Sequence, residues 1–188
     1  MSSHMRDYMK HMLCEGLYNL MLKKNFEKIT IKQICDEVGV IRGTFYNHFM
    51  DKYEALEYLT KELLFSDFDK ENDYKALYVH MINVIDEHRN FFARAFYIEG
   101  QNNFEDMLQN IFKDIFYQII CDFDIDFSQL PCDANYLAAV HAAAFKFVVK
   151  DWVTHGCQVS RDVMCQRVEM LFANSFKDFL TKGNAGLK

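Results

Sequence analysis

A chain of 188 residues, 51% of them hydrophobic, can bury a substantial core and suits a small domain followed by a larger one. Its single proline, Pro131, argues against a turn-rich all-β fold and for helices. The net charge of −6 is unevenly placed: residues 1–60 hold eight Lys/Arg and eight Asp/Glu, and residues 61–188 hold 13 and 19, so the acidic excess excludes nothing about the first part, which can still show a local basic face.

In chain order, the spacing of Met9, Leu13, Leu17, Leu20 and Met21 predicts a first helix from about Arg6 to Lys24. Thr30 and Gln33 form a capping box that opens a second helix. Its apolar face is Ile31, Ile34, Cys35 and Val38, and it ends at Gly39, where a turn needs positive φ. A third, short helix follows, anchored by Phe45 and Phe49 about one turn apart, with Arg42, Gly43, Thr44, Tyr46, Asn47 and His48 between the anchors. Ile41 stands where its N-cap is expected, and isoleucine cannot cap. Asp51 with Glu54 resembles an acidic capping box that opens a fourth helix from Lys52 to about Phe65. One helix that braces and a next one that presents polar residues make a helix-turn-helix, built to enter a major groove.

Beyond a polar joint, SDFDKEND, a helix is predicted from about Asp73 to His88 with Leu77, Met81, Val84 and Ile85 inside. Asn90 is expected to cap a short helix through Phe91, Phe92, Ala95 and Phe96 that stops by Gly100. Leu108, Ile111, Ile115 and Ile119 place another helix from about Phe104 to Cys121, and the acidic DFDIDFSQLPCD is a loop. A long helix from about Ala134 to His155 is ended by Gly156, and Ser160 caps a last one to about Leu180. The expected fold is therefore all-α with about nine helices. A three-helix DNA-binding domain covers 6–52, and a larger helical domain, to which the resemblance described next assigns ligand binding and dimerisation, covers 53–188.

The segment GVIRGTFYNHFMDKYEAL resembles the signature of TetR-type transcriptional regulators. Gly39, Val40, Arg42, Gly43, Thr44, Phe45, Tyr46, His48, Phe49 and Lys52 match in register, and LKKNFEKIT resembles the end of that family's first helix and its turn. The resemblance covers about Met9 to Leu59. Ile41, where Ser or Ala is usual, and Met50, where Pro or Lys is common, depart from it. The DWVTHG segment looks like the end of the penultimate helix in many members.

Side-chain chemistry assigns the DNA contacts. Thr30, Lys32, Tyr46, His48 and Lys52 are expected on phosphates, through hydroxyl, imidazole and ammonium donors. Arg42, Thr44 and Asn47 are expected at base edges, with Gly43 permitting close backbone approach. Lys23, Lys24 and Lys28 join Lys32, Arg42 and Lys52 in the expected basic face.

The resemblance further implies a cavity for a small-molecule effector in the second domain. Its expected lining is Met81, His88, Phe92, Phe96, Met107, Phe112, Phe116, His141 and Phe145, although any one of these aromatics alone reads as core. Arg89, Arg94 and Glu99 join His88 and His141 as polar groups that could orient a ligand. On the long helix, the rows Ala138/Ala142 and Ala139/Ala143 allow close helix approach, and Phe145, Val149 and Trp152 add apolar surface. The last helix offers Val163, Val168, Leu171, Phe172 and Phe176. Two such helices from each of two chains would form a four-helix bundle, and two half-sites demand a two-fold partner; the alternative is an ordinary monomeric core.

Other classes find no support. Six cysteines lack CxxC or zinc spacing, so no metal site, cofactor or disulfide is expected, and Cys35 reads as a small core residue. The seven histidines are scattered, and His155-Gly156-Cys157 is too short a cluster to be a site. No nucleophile elbow, HExxH or phosphate loop points to an enzyme. No apolar run reaches the roughly 20 residues of a membrane span. The opening MSSHM shows no signal peptide and is set aside from the fold reasoning. The expectation is a cytoplasmic, homodimeric repressor, released from a double-stranded DNA operator by a largely apolar small molecule. Alternatives are a ligand-dependent activator or co-activator of the same fold, and a helical adaptor that does not bind DNA.

Overall fold

The helical periodicity carries through into nine α-helices among the described residues, which in this computed structural model are 3–66, 68, 74–123, 127–129 and 131–172. They are α1 (Ser3–Met21), α2 (Ile31–Val38), α3 (Arg42–Tyr46), α4 (Lys52–Phe65), α5 (Tyr74–Glu87), α6 (Arg89–Ala95), α7 (Phe104–Asp122), α8 (Ala134–Thr154) and α9 (Arg161–Phe172). Short 3₁₀ turns lie at Phe26–Lys28 and Phe127–Gln129. Most of the joint after α4 and the predicted extension of the last helix, with Phe176, lie outside the described residues, as does the expected helix start at Asp73.

Local signals set most helix ends. Thr30 Oγ1 accepts from Gln33 N at 3.3 Å, while Gln33 Oε1 accepts from Thr30 N at 3.1 Å, so the capping box is complete. Gly39 closes α2 at φ 78°, the left-handed conformation that glycine adopts without a Cβ penalty. Asp51 Oδ1 accepts from Tyr53 N and Glu54 N at 2.8 and 2.9 Å. The reciprocal half of that second box is displaced, because the Glu54 carboxylate accepts from Met50 N, one residue further back than a capping box requires. Asp133 caps α8 and Ser160 caps α9. Asn90 is not the cap of α6: His88 holds the N-cap position and Asn90 lies inside the helix.

The chain divides into two compact units, the first Met1–Ser66 with His88–Ile111 and the second Asp67–Glu87 with Phe112–Lys188. In the first, α1 packs on α2, α4 and α6. Leu13, Leu17, Ile34, Phe45 and Leu56 are fully buried there, each stabilising by about 1.5–3 kcal/mol. Gly16 permits the α1–α2 approach, since a Cβ there would sit 2.8 Å from Val38 Cγ2. In the second unit α5 packs on α9 around Met81, Ile82, Ile85, Phe112, Phe145 and Val149.

Candidate nucleic-acid interface and sensor cavity

The third helix is only five residues long, and its placement depends on aromatic anchors. Phe45 and Phe49 are buried with ring centroids 5.7 Å apart, Phe49 packs on Tyr58 at 5.7 Å, and Lys10 Nζ lies 4.9 Å over the Tyr58 ring. Anchoring one side of α3 exposes the other: Arg42, Gly43, Tyr46 and Asn47 face solvent, and Thr44 and His48 are half-buried. Among the described residues beyond its own helix backbone and chain neighbours, Ile41 Cδ1 at 3.8 Å is what a Cβ on Gly43 would meet, so that side is open to a close neighbour. Ile41 makes no side-chain cap, and it is 77% exposed at the head of the helix. An exposed isoleucine beside Arg42 and Thr44 adds an apolar group to this outward face, which side-chain polarity does not reveal.

The expected basic face is partly neutralised. Lys23 pairs with Glu37 at 3.2 Å and Lys32 with Asp36, four residues on. Among the described residues Lys24, Lys28 and Arg42 make no ion pair. Thr30 is exposed, with its hydroxyl engaged in the capping box. Lys52 differs most from expectation. Its ammonium donates to the carbonyls of Phe26, Ile29 and Glu27 at 2.8, 3.0 and 3.3 Å, and lies 4.5 Å over the Phe26 ring. Burial lowers its pKa, against a smaller opposing pull from Glu27. These carbonyls saturate its three donors, so Lys52 ties the head of α4 to the 3₁₀ turn before α2.

The residues expected around an effector fall in two places. His88, Phe92, Phe96 and Met107 belong to the first unit. There Phe92 is buried against Phe104 at 6.2 Å, Phe96 meets Phe104 edge-on at 5.3 Å, and His88 Nδ1 lies 2.9 Å from the Tyr18 hydroxyl. Met81, Phe112, Phe116, His141 and Phe145 belong to the second unit. Of these, Phe116 and His141 line a cavity of about 310 Å³. Its remaining walls are Ile119, Ile120 and Phe123 at the end of α7, Leu137 of α8, Tyr78 of α5 and Phe172 of α9. Phe145 and Phe112 stand behind that wall, 6.1 and 6.3 Å from Phe116 by ring centroid. Tyr78, Ile119, Ile120, Phe123 and Leu137 were missed because their spacing reads as ordinary helix core or helix end.

On α8, Ala138, Ala142, Phe145, Val149 and Trp152 are already buried within one chain, as is Val168 on α9. These residues are core and not a surface between chains, because the helix turns them inward onto its own unit. The outward face carries Tyr136, Val140, Ala143 and Phe147, a stripe at helical spacing, with Val163, Met170 and Leu171 exposed on α9.

Among the described residues no helix is long and apolar enough to cross a membrane, and no cluster of His, Cys, Asp and Glu could hold a metal. Burial raises the pKa of the Cys14 and Cys35 thiols.

Residues 15–59 match the family model "Bacterial regulatory proteins, tetR family", and residues 72–174 match "Transcriptional regulator C-terminal region" of that family. The chain is 20% identical over 166 residues to the HTH-type dhaKLM operon transcriptional activator DhaS of Lactococcus lactis subsp. lactis (strain IL1403), covering 86% of this chain and 87% of DhaS. It is 23% identical over 166 residues to YxbF of Bacillus subtilis (strain 168), an uncharacterized HTH-type transcriptional regulator. That match covers 82% of this chain but only 42% of YxbF, so the chain spans less than half of that relative. A solved structure of the dihydroxyacetone kinase operon activator DhaS superposes with a TM-score of 0.64 at 21% identity, over 88% of this chain and 94% of that one. NalD, the secondary repressor of the MexAB-OprM multidrug efflux pump in Pseudomonas aeruginosa, superposes with a TM-score of 0.53 at 14% identity, over 87% and 93%. With its anchored helix-turn-helix, its helical second unit and both matching family models, the chain belongs to the tetR family of bacterial regulatory proteins and is a transcriptional regulator, not an enzyme.

Proposed function

We propose that the chain is a cytoplasmic, homodimeric, ligand-responsive repressor of a double-stranded DNA operator. The observation that carries it is α3 with the turn after it, where buried Phe45 and Phe49 hold Arg42, Gly43, Tyr46 and Asn47 outward. In this reading residues 6–52 read DNA and 53–188 sense and dimerise. Arg42, Thr44 and Asn47, joined by Ile41, meet base edges. Thr30, Lys32, Tyr46, His48, Lys24 and Lys28 meet phosphate, and Lys52 braces them from behind. The outward stripes of α8 and α9 pair two chains, so that the two α3 helices reach successive grooves about 34 Å apart. A ligand that prefers the DNA-incompetent form by 100-fold shifts the equilibrium by about 2.7 kcal/mol. We propose that the shift passes along α7, through Phe104 to Phe91 and Phe92 of α6, and from Phe91 to Tyr18 of α1, on which α4 packs.

Selection from random duplexes followed by mobility-shift titration tests this. The expected result is a two-fold symmetric sequence with half-sites about ten base pairs apart and steeply salt-dependent binding. Failure to enrich any sequence overturns it. A second reading, an activator, is favoured by the name of DhaS; transcription in vitro from a promoter carrying the selected sequence separates the two.

A further inference from the structure

The second unit's cavity has a composition that restricts what it can hold. Three of its walls are phenylalanine rings, Phe116, Phe123 and Phe172, and among the described lining residues two groups are polar, the Tyr78 hydroxyl and the His141 imidazole. These two lie 3.5 Å apart, a long contact that a ligand hydroxyl can replace with two shorter ones. Tyr78 is held in place by rings on several sides: Phe172 stacks on it at 5.1 Å, and Phe116 and Phe145 lie at 5.3 Å. Among the described residues no carboxylate, lysine or arginine lines the cavity. Burial lowers the His141 pKa, so the imidazole is neutral at pH 7 and presents one donor and one acceptor.

A cation here would find aromatic faces but no counter-charge among the described residues, and those faces return less than its desolvation costs. An anion would find no positive charge among the described lining residues, and the helix end there is the C-terminus of α7, whose dipole disfavours it. We propose that the cavity takes an uncharged aromatic or alkyl alcohol, a phenol being the type case, whose hydroxyl bridges Tyr78 and His141. At ~30 Å³ for each water-sized group, the cavity holds on the order of ten non-hydrogen atoms. The inference rests on the proposed role of this unit as the sensor.

Calorimetric titration of the full chain with three probes of similar size tests it: 4-propylphenol, 4-ethylbenzylammonium and 4-ethylbenzoate. The phenol is expected to bind at least about tenfold more tightly than either ion, the discrimination a satisfied hydrogen bond and an unpaired buried charge together produce. His141→Phe and Tyr78→Phe keep the rings and remove the polar atoms, and each is expected to weaken the phenol about tenfold. Should His141→Phe fail to fold, by circular dichroism, Tyr78→Phe carries the test. Equal or tighter binding of either ion, absence of phenol binding, or phenol binding unaltered in the folded variants overturns the proposal. Titration against the selected duplex separates it from the sensor role. Phenol that saturates the chain without releasing DNA overturns that role and leaves the ligand class standing. Release by the ammonium probe, with no phenol binding, does the reverse.

Discussion

The Lys52 ammonium donates a 2.8 Å hydrogen bond to the carbonyl of Phe26, twenty-six residues earlier, and covers the ring of the same residue at 4.5 Å. One side chain thus fastens the head of α4 to the turn that precedes α2. Lys52→Met is expected to lower stability by about 1–3 kcal/mol, since the carbonyls of Glu27 and Ile29 lose the ammonium and that of Phe26 keeps only the Ile29 N–H. Binding to DNA should weaken with its salt slope unchanged, whereas Lys28→Ala should lower the slope by about one unit and leave the melting temperature alone. A lower slope with an unchanged melting temperature in Lys52→Met would make Lys52 a phosphate contact instead.

Arg42 is exposed at the head of α3 and makes no ion pair among the described residues. Arg42→Ala is expected to cost about 1–3 kcal/mol against one base pair and far less against the others. Mobility shifts over a panel of singly substituted operators read this directly. A uniform loss across the panel would place Arg42 on the phosphates.

Two alanines one residue apart on α8 separate core from interface, because Ala142 is fully buried and Ala143 is exposed. Ala142→Glu is expected to unfold the second unit, as an unpaired buried charge does. Phe147→Glu and Ala143→Glu should leave the circular dichroism spectrum intact and convert a dimer to a monomer by light scattering, with operator affinity lost. A dimer that survives Phe147→Glu shows that pairing uses another face.

His141 should make stability depend on pH. Burial holds its folded pKa below the unfolded value of 6.5, so the unfolded chain binds more protons. The stabilisation is complete above pH 6.5 and is lost as pH falls through the folded pKa. Between about pH 7.5 and 5.5 the melting temperature of the natural protein is expected to fall further than that of His141→Gln. Equal falls in the two would show His141 to be as solvated folded as unfolded.

What the sequence determined by itself was local. The Thr30–Gln33 box, the left-handed Gly39, the Asp51 cap and the Phe45–Phe49 anchor pair each involve residues within four positions of one another, and all four are present. Short-range geometry of this kind depends on backbone sterics and helical pitch, which any copy of the segment shares. Tertiary structure decided whatever required a partner distant in sequence. α8 is apolar on more than one face, so periodicity could not say whether the Ala138–Ala142 row or Ala143 and Phe147 would turn inward. The inward face was settled by the unit it packs in. The middle aromatics were equally ambiguous: Phe92 and Phe96 pack with Phe104 in one unit, while Phe116 lines a cavity in the other with Tyr78 and Leu137, which lie in separate helices. Lys52 shows the same limit for charge. Its sign and position matched a phosphate contact, but three carbonyls, 23 to 26 residues away in sequence, lay close enough to take its donors first.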